Sequence, residues 1–303
     1  MDIIDPHLHF FDLAQGNYLW LRPENPPLWP DKETICHNFS EQDLTLTEQR
    51  RLSGIVHIEA GFDNQSPWRE IQWLERNTAI PMKTVANIDL TLPPLDFKRA
   101  LIKLKQYQSV VGVRHILDEA AETILSQPNV QENLGELAKT QLHFELQMSL
   151  ADTPAIALIE AILHKQPTLT CIINHAGWPP LTTQESKQAN NLINKELQQA
   201  WRKNIYLLGR LKNCAIKCSG WEMLDRHYSN DILKDVISMA IEAFGEQNVM
   251  LASNFPLTLF NKSYDALWKQ YLDVLKELNL TEQTIKNLCF QNSKTWYQFT
   301  HFS

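Results

Sequence analysis

No run of apolar residues in this chain approaches the roughly 18 needed to cross a bilayer. The opening MDIIDPHLHF has no basic stretch and carries acids inside its apolar run, so neither a secretory signal nor a membrane span is expected, and the cytoplasm is the expected compartment. The five cysteines (Cys36, Cys171, Cys214, Cys218, Cys289) form no CxxC pair and leave one over, which argues against a disulfide framework and for buried thiols in a reducing compartment. Cys214 and Cys218, evenly spaced on a strand-like segment, read as core residues rather than ligands. Positive charge is scarce: 28 Lys and Arg against 35 Asp and Glu give a net charge of −7, the opposite of a nucleic-acid surface. An anionic small molecule stays possible, because a few inward cations can dominate a pocket. A P-loop, a GxGxxG turn, zinc-finger spacing and a Ser-His-Asp pattern are all missing, and Ser219-Gly220 alone is too little for a nucleophile elbow. There is no linker, low-complexity tract or internal repeat.

What remains is ordinary globular sequence. With 303 residues, 44% hydrophobic and 21% charged, disorder is not expected. A chain of this size buries roughly three quarters of the surface its unfolded form exposes, so it needs no staple to hold together. Eight β-rich segments stand at 3–8, 54–60, 83–88, 109–116, 142–148, 168–174, 213–219 and 248–253. Between most of them, apolar residues recur at three- and four-residue spacing, at 66–77, 95–106, 131–140, 152–164, 187–210, 231–244 and 263–278. Alternating strand and helix imply parallel strands with right-handed crossovers, and eight repeats imply closure. The expectation is a single (β/α)8 barrel over 1–303.

One connection stands out. About 45 residues separate the first two strand segments, and they include NYLWLRPENPPLWP, with Pro23, Pro26, Pro27 and Pro30, two tryptophans and a tyrosine. Loops this long in compact domains are usually functional or disordered, and disordered tracts are poor in aromatics. An ordered flap over the C-terminal face of the barrel is expected.

Side chains alternate along a strand, so each segment sorts into two faces. Val56 and Ile58 oppose His57 and Glu59. Leu142, Phe144 and Leu146 oppose His143, Glu145 and Gln147. Cys214, Ile216 and Cys218 oppose Ala215, Lys217 and Ser219. Asp5, His7 and His9 oppose Ile4, Pro6 and Leu8. Helices must cover the outside of a parallel barrel, so the apolar sets should point out and the polar sets in. Buried charges need partners, which implies a bonded polar network or a wet pocket inside. In the fourth segment Arg114 and His115 fall out of phase, and Arg114 is expected to face the pocket. His37, His164, His227 and His301 fall on loops or helices and should be solvated. His7 and His9 put two imidazoles on one side of a strand end, about 7 Å apart, able to bind one metal ion or one oxyanion.

The opening IIDPHLHFFDLAQGNYLWL resembles that of the amidohydrolase-2 group, in particular its branch of sugar lactonases and 2-pyrone-4,6-dicarboxylate lactonase. GIVHIEA (54–60), GVRHIL (112–117), FELQ (144–147), INHAGWP (173–179), IKCSG (216–220) and LASNFP (251–256) follow in that family's order. The resemblance implies a hydrolase in which His7 and His9 are the first-strand pair and His175 the histidine after the sixth strand. Asn254 stands where most relatives carry the eighth-strand aspartate, which binds metal or takes a proton from water. Gln147 stands where metal-dependent members have a histidine. With both changed, a zinc set would shrink to His7, His9 and His175, and the resemblance favours chemistry that needs no cofactor, the histidines polarising the carbonyl directly.

The expected reaction is hydrolysis of a small lactone or related cyclic ester. His7, His9 and His175 would act on the carbonyl, with Asn254 holding water. Arg114, Lys217, His57, Glu59, Gln147, Trp178 and Trp221 would surround an anionic or polyhydroxylated substrate. An amide takes no proton near neutral pH, so the base would be His175, His7 backed by Asp5, or Glu59. The alternatives are a metal-dependent hydrolase or nonoxidative decarboxylase of the same fold, and a degenerate barrel that only binds a metabolite. A homo-oligomer is compatible with all of them.

Overall fold

The computed structural model describes residues 1–47, 49–180 and 192–299. Its eight strands are β1 (Asp2–Leu8), β2 (Arg51–Ile58), β3 (Met82–Asn87), β4 (Val110–Ile116), β5 (His143–Gln147), β6 (Cys171–Ile173), β7 (Cys214–Cys218) and β8 (Val249–Leu251). Each pairs in parallel with the next in chain order. The ends meet where Leu8 bridges Phe255, with His9 N donating to Phe255 O (2.7 Å) and Asn254 N to His7 O (2.9 Å). A (β/α)8 barrel results, as the alternation of segments implies.

Helices Trp68–Asn77, Pro94–Leu104, Pro128–Leu137, Thr153–Lys165, Leu192–Gly209, Asn230–Phe244 and Tyr264–Glu277 cover the outside. They fall close to the expected spans, although residues 187–191 of the expected 187–210 helix lie outside the described residues. Local chemistry sets their starts. Asp152 accepts from Ala155 N (3.1 Å) with Pro154 in the first turn, a cap worth about 1 kcal/mol. No described helix is long and apolar enough to cross a membrane.

The core has two shells. Outside, Ile3, Ile55, Val113, Phe144, Leu146, Ile173, Cys214, Ile216, Cys218 and Leu251 pack with the helices. Inside, Ile4, Val56, Ile58, Val85, Val111, Ile172, Ala215 and Met250 fill the lower barrel, sealed from beneath by Tyr297 and Phe299. β5 and β7 therefore show the expected faces, and Cys214 and Cys218 are core residues. β2 is reversed: Val56 and Ile58 point in, while His57 points out to within 4.0 Å of Glu70 on helix Trp68–Asn77. Both faces of a parallel strand are buried, so polarity alone does not say which face is inside, and outside the barrel the imidazole Nε2 meets Phe10 O at 3.5 Å.

β1 departs from strict alternation too. Its register breaks between Asp5 and Leu8. Asp5 turns away from the histidine rings to accept from Ser253 N (3.1 Å) and His7 N (3.2 Å). The expected common face of Asp5, His7 and His9 is thus split by a bulge, a device that re-aims side chains next to sites.

The long first connection is an ordered flap built around three short 3-10 turns, Leu19–Leu21, Lys32–Ile35 and Glu41–Asp43. The buried Lys32 ammonium donates to the carbonyls of Trp20 (2.9 Å), Arg22 (3.1 Å) and Asn25 (2.7 Å). Trp20 Nε1 donates to Ala60 O at 2.8 Å. At the flap's far edge Arg226 pairs with Asp31 (2.7 Å) and lies 4.1 Å from the Phe260 ring and 5.6 Å from Trp29.

Candidate active site

A cavity of about 900 Å³ opens over the C-terminal ends of the strands. Its lining includes His9, Glu59, Arg114, Gln147, His175, Trp178 and Asn254 from strand ends, and Trp20, Pro26, Pro27 and Trp29 from the flap. That is the face on which barrels of this kind carry their chemistry.

Two imidazoles, His9 and His175, line its floor, and a third, His7, is buried against both. The His7 ring lies 5.1 Å from that of His9 and 4.5 Å from that of His175. His9 Nδ1 is 2.8 Å from Ile58 O. A carbonyl only accepts, so Nδ1 carries the proton and Nε2 presents a bare lone pair. His175 Nδ1 is 3.0 Å from Ser219 Oγ. His7 is fully buried, and among the described residues neither of its ring nitrogens has a hydrogen-bond partner. Burial, with added repulsion from Lys217 and Arg114, holds all three well below the usual histidine range, so they are neutral near pH 7.

Backbone strain marks the same place. His175, Ala176, Gly177 and Trp178 all have positive φ, as does Asn254 (57°). The Trp178 ring stacks on His175 at 4.4 Å. Gly220 makes room for that imidazole, since a Cβ there would meet His175 Nδ1 at 2.7 Å and the residue's φ is +73°.

The cations are internally paired. Arg114 Nε donates to Glu59 Oε1 (2.8 Å), one terminal nitrogen to Gln147 Oε1 (2.7 Å) and the other to Glu59 O (2.8 Å). Lys217, fully buried below the cavity, meets Glu145 Oε2 at 2.5 Å. Burial pulls Lys217 down to about 8 against the pull of Glu145. Burial would raise Glu145, but Lys217 and His143 hold it at about 2.

Of the residues singled out from the sequence, His9, Glu59, Arg114, Gln147, His175, Trp178 and Asn254 line one cavity, and His7 lies against two of them. Besides His7, three do not line it. His57 is in the outer wall, burial pushing it down to about 3. Lys217 lies beneath the floor. Trp221 is a core residue donating to Tyr271 Oη at 2.6 Å. His115 lines the rim alongside Arg114, because the strand end frees both faces. His37, His164 and His227 are exposed, and His301 lies outside the described residues.

Two acids escaped the strand-face argument because they sit beyond strand ends. Asp118, after β4, accepts from Trp178 Nε1 (3.3 Å) and Gln147 Nε2 (3.4 Å) at the cavity wall, and burial raises its carboxyl. Its signal was position, an acid just after GVRHIL. Glu222, in the turn of helix after IKCSG, is fully buried and accepts from Asn254 Nδ2 at 2.7 Å. Nothing in its spacing announces burial.

Comparison with known proteins agrees with this fold. The amidohydrolase family model matches residues 4–299. The chain belongs to the amidohydrolase family. It is 27% identical over 310 residues, 98% of each chain, to the uncharacterized protein y4mH of Sinorhizobium fredii. To the L-fucono-1,5-lactonase of Burkholderia ambifaria it is 23% identical over 261 residues, covering 84% of this chain and 80% of that one. Its fold matches a Burkholderia multivorans amidohydrolase crystallised with bound zinc, at TM-score 0.74 and 18% identity over 98% and 99% of the two chains. It is a hydrolase of the amidohydrolase superfamily.

Zinc in that neighbour raises the question of fit here. Among the described residues no three His, Cys, Asp or Glu are gathered to hold a metal ion. His9 alone offers a bare nitrogen fixed by a carbonyl, the arrangement of a ligand. Gln147 and Asn254 supply only amides. Glu59 and Glu145 are taken by Arg114 and Lys217, whose charges oppose a second cation. This donor set does not fit a resident divalent ion. It suits a carbonyl group under attack by water: one imidazole free to donate, beside one poised to accept a proton.

Proposed function

We propose that this amidohydrolase hydrolyses a small neutral, polyhydroxylated lactone. The observation that carries the proposal is His7, an imidazole buried with both nitrogens unpartnered among the described residues and packed against the two imidazoles that line the cavity. A buried N–H without an acceptor costs about 1–3 kcal/mol, which a bound carbonyl oxygen recovers. That oxygen becomes more basic as it turns into an oxyanion, so the bond strengthens toward the transition state.

His7 donates to the carbonyl oxygen. Asn254 orients the attacking water. His9 Nε2, the bare nitrogen, takes the water's proton as the new C–O bond forms. Collapse of the tetrahedral intermediate breaks the ring C–O bond, and the imidazolium returns the proton to the leaving alkoxide. The product is a hydroxy acid, and atoms balance with water as the only other reactant. Of the bases weighed from sequence, Glu59 is held by Arg114 and Asp5 does not touch the His7 ring, while His175 points Nδ1 at Ser219.

A neutral substrate follows from the charges. Both inward cations are already paired, and the wall adds the acids Asp118 and Glu119. Trp20, Trp29 and Trp178 offer faces for a sugar ring, and Asn64 and Asn87 offer hydrogen bonds for hydroxyls. Likeness to the L-fucono-1,5-lactonase supports the same class.

The test is a panel of aldonolactones set against lactones bearing carboxylates. Turnover is expected with the neutral members, with kcat/KM falling on the order of 100-fold in His7→Ala. Inactive wild type, or undiminished His7→Ala, would defeat the proposal.

A further inference from the structure

We propose that Glu222 is the positioning acid of this site, fixing through one hydrogen bond which end of the Asn254 amide faces the attacking water. The inference rests on the lactone-hydrolase reading for its catalytic consequence, though not for its geometry.

Three observations carry it. The Asn254 main chain is pinned in a left-handed conformation, φ 57°, by its N–H bond to His7 O, so only side-chain rotation is left. Nδ2 donates to Glu222 Oε1 at 2.7 Å, and Glu222 is fully buried behind the wall while Asn254 lines the cavity. The second carboxyl oxygen, Oε2, is buried with no partner among the described residues, so the group has a free position for a proton.

An ionised carboxylate only accepts hydrogen bonds. It therefore holds the NH2 end of Asn254 toward itself and leaves Oδ1 for the cavity, where it accepts from a water O–H and keeps that water's lone pair free to attack. A protonated Glu222 can donate instead. The pair can then invert, and an NH2 facing the cavity would occupy the lone pair the reaction needs. The acid absent from the end of β8 is thus retained one side chain further out, controlling polarity rather than taking the proton.

The groups around Glu222 let this equilibrium matter. Asn254 reaches it from the end of β8, Tyr271 lies on helix Tyr264–Glu277, and Tyr228, Arg226 and Lys262 surround it. Burial pushes Glu222 up to about 7, opposed by the amide bond and the two cations.

The experiment follows the Asn254 side-chain amide of the 15N-labelled full chain through a pH titration, the signal being assigned by its loss in Asn254→Asp. It should shift in one transition near neutral pH, and the transition should vanish in Glu222→Gln. In parallel, kcat should fall in wild type as pH drops through that transition. In Glu222→Gln it should be on the order of 10- to 100-fold lower and flat in that window, with KM within about twofold, and Glu222→Asp should restore part of the pH dependence. A non-titrating amide, or wild-type kcat and acid limb in Glu222→Gln, overturns the proposal. Wild type without lactone turnover overturns the functional reading instead, while the amide titration still judges the Glu222–Asn254 pair.

Discussion

The His7 and His175 rings lie 4.5 Å apart, and among the described residues His7 meets no hydrogen-bond partner at either nitrogen. A fold that leaves such a group unsatisfied at its centre gives up stability there, and a ligand that satisfies it gains affinity.

Replacing His7 by Leu should separate these effects. The variant should be about 1 kcal/mol more stable in urea unfolding, because the unpartnered N–H is gone, while lactone turnover is lost. Lower stability together with full activity would mean that His7 is an ordinary core residue.

The two buried acids make stability depend on pH in a definite direction. Asp5 is raised to about 6 and Glu222 to about 7, in both cases chiefly by burial. A raised folded pKa means that the folded state holds the proton more tightly. The contribution is full below the unfolded value and is lost as pH rises through the folded one. For Glu222 the loss spans pH 4.5 to about 7 and is on the order of a few kcal/mol. Unfolding curves of Glu222→Gln should show a flatter decline across that window than wild type. Parallel curves would contradict the shift.

His57 has the opposite sign. Burial depresses it from 6.5 to about 3, so its contribution is present above 6.5 and disappears as pH falls toward 3. His57→Asn should narrow the acid-induced loss of stability over that range, measured by the same unfolding curves.

Metal content is a further test. Protein purified without chelator should hold zinc well below one equivalent. The double variant Gln147→His/Asn254→Asp, which supplies the two donors that metal-dependent relatives carry, should take up zinc in a calorimetric titration. Stoichiometric zinc in wild type would refute the argument from donor chemistry.

Arg226 fastens the flap through Asp31, Trp29 and Phe260. Arg226→Ala should raise KM by about tenfold and expose residues 17–36 to limited proteolysis. An unchanged digestion pattern would show that Lys32 and the prolines hold the flap without it.

Much of this architecture was legible in the residues. Strand segments, covering helices and the flap followed from spacing and composition, since apolar periodicity and aromatic content are local properties. The inward polarity of Glu145 and Lys217 was legible because their strands carry cysteine and aliphatic residues on the other face. β2 was not, since Val56, Ile58 and His57 are all buried and their polarity does not say which points outward. The turn of Asp5 away from His7 depends on a register break that no alternation rule contains. Glu222 became meaningful only when its distance to Asn254 was known.

The seal beneath the barrel has a consequence for biosynthesis. Tyr297 Oη donates to Glu145 Oε1 at 2.7 Å, the same carboxylate that anchors Lys217. A nascent chain with all eight strands already emerged would still lack this hydroxyl and the aromatic floor around it. Completion of the Glu145–Lys217 anchor therefore waits on residues 292–299, which follow all eight strands in the chain.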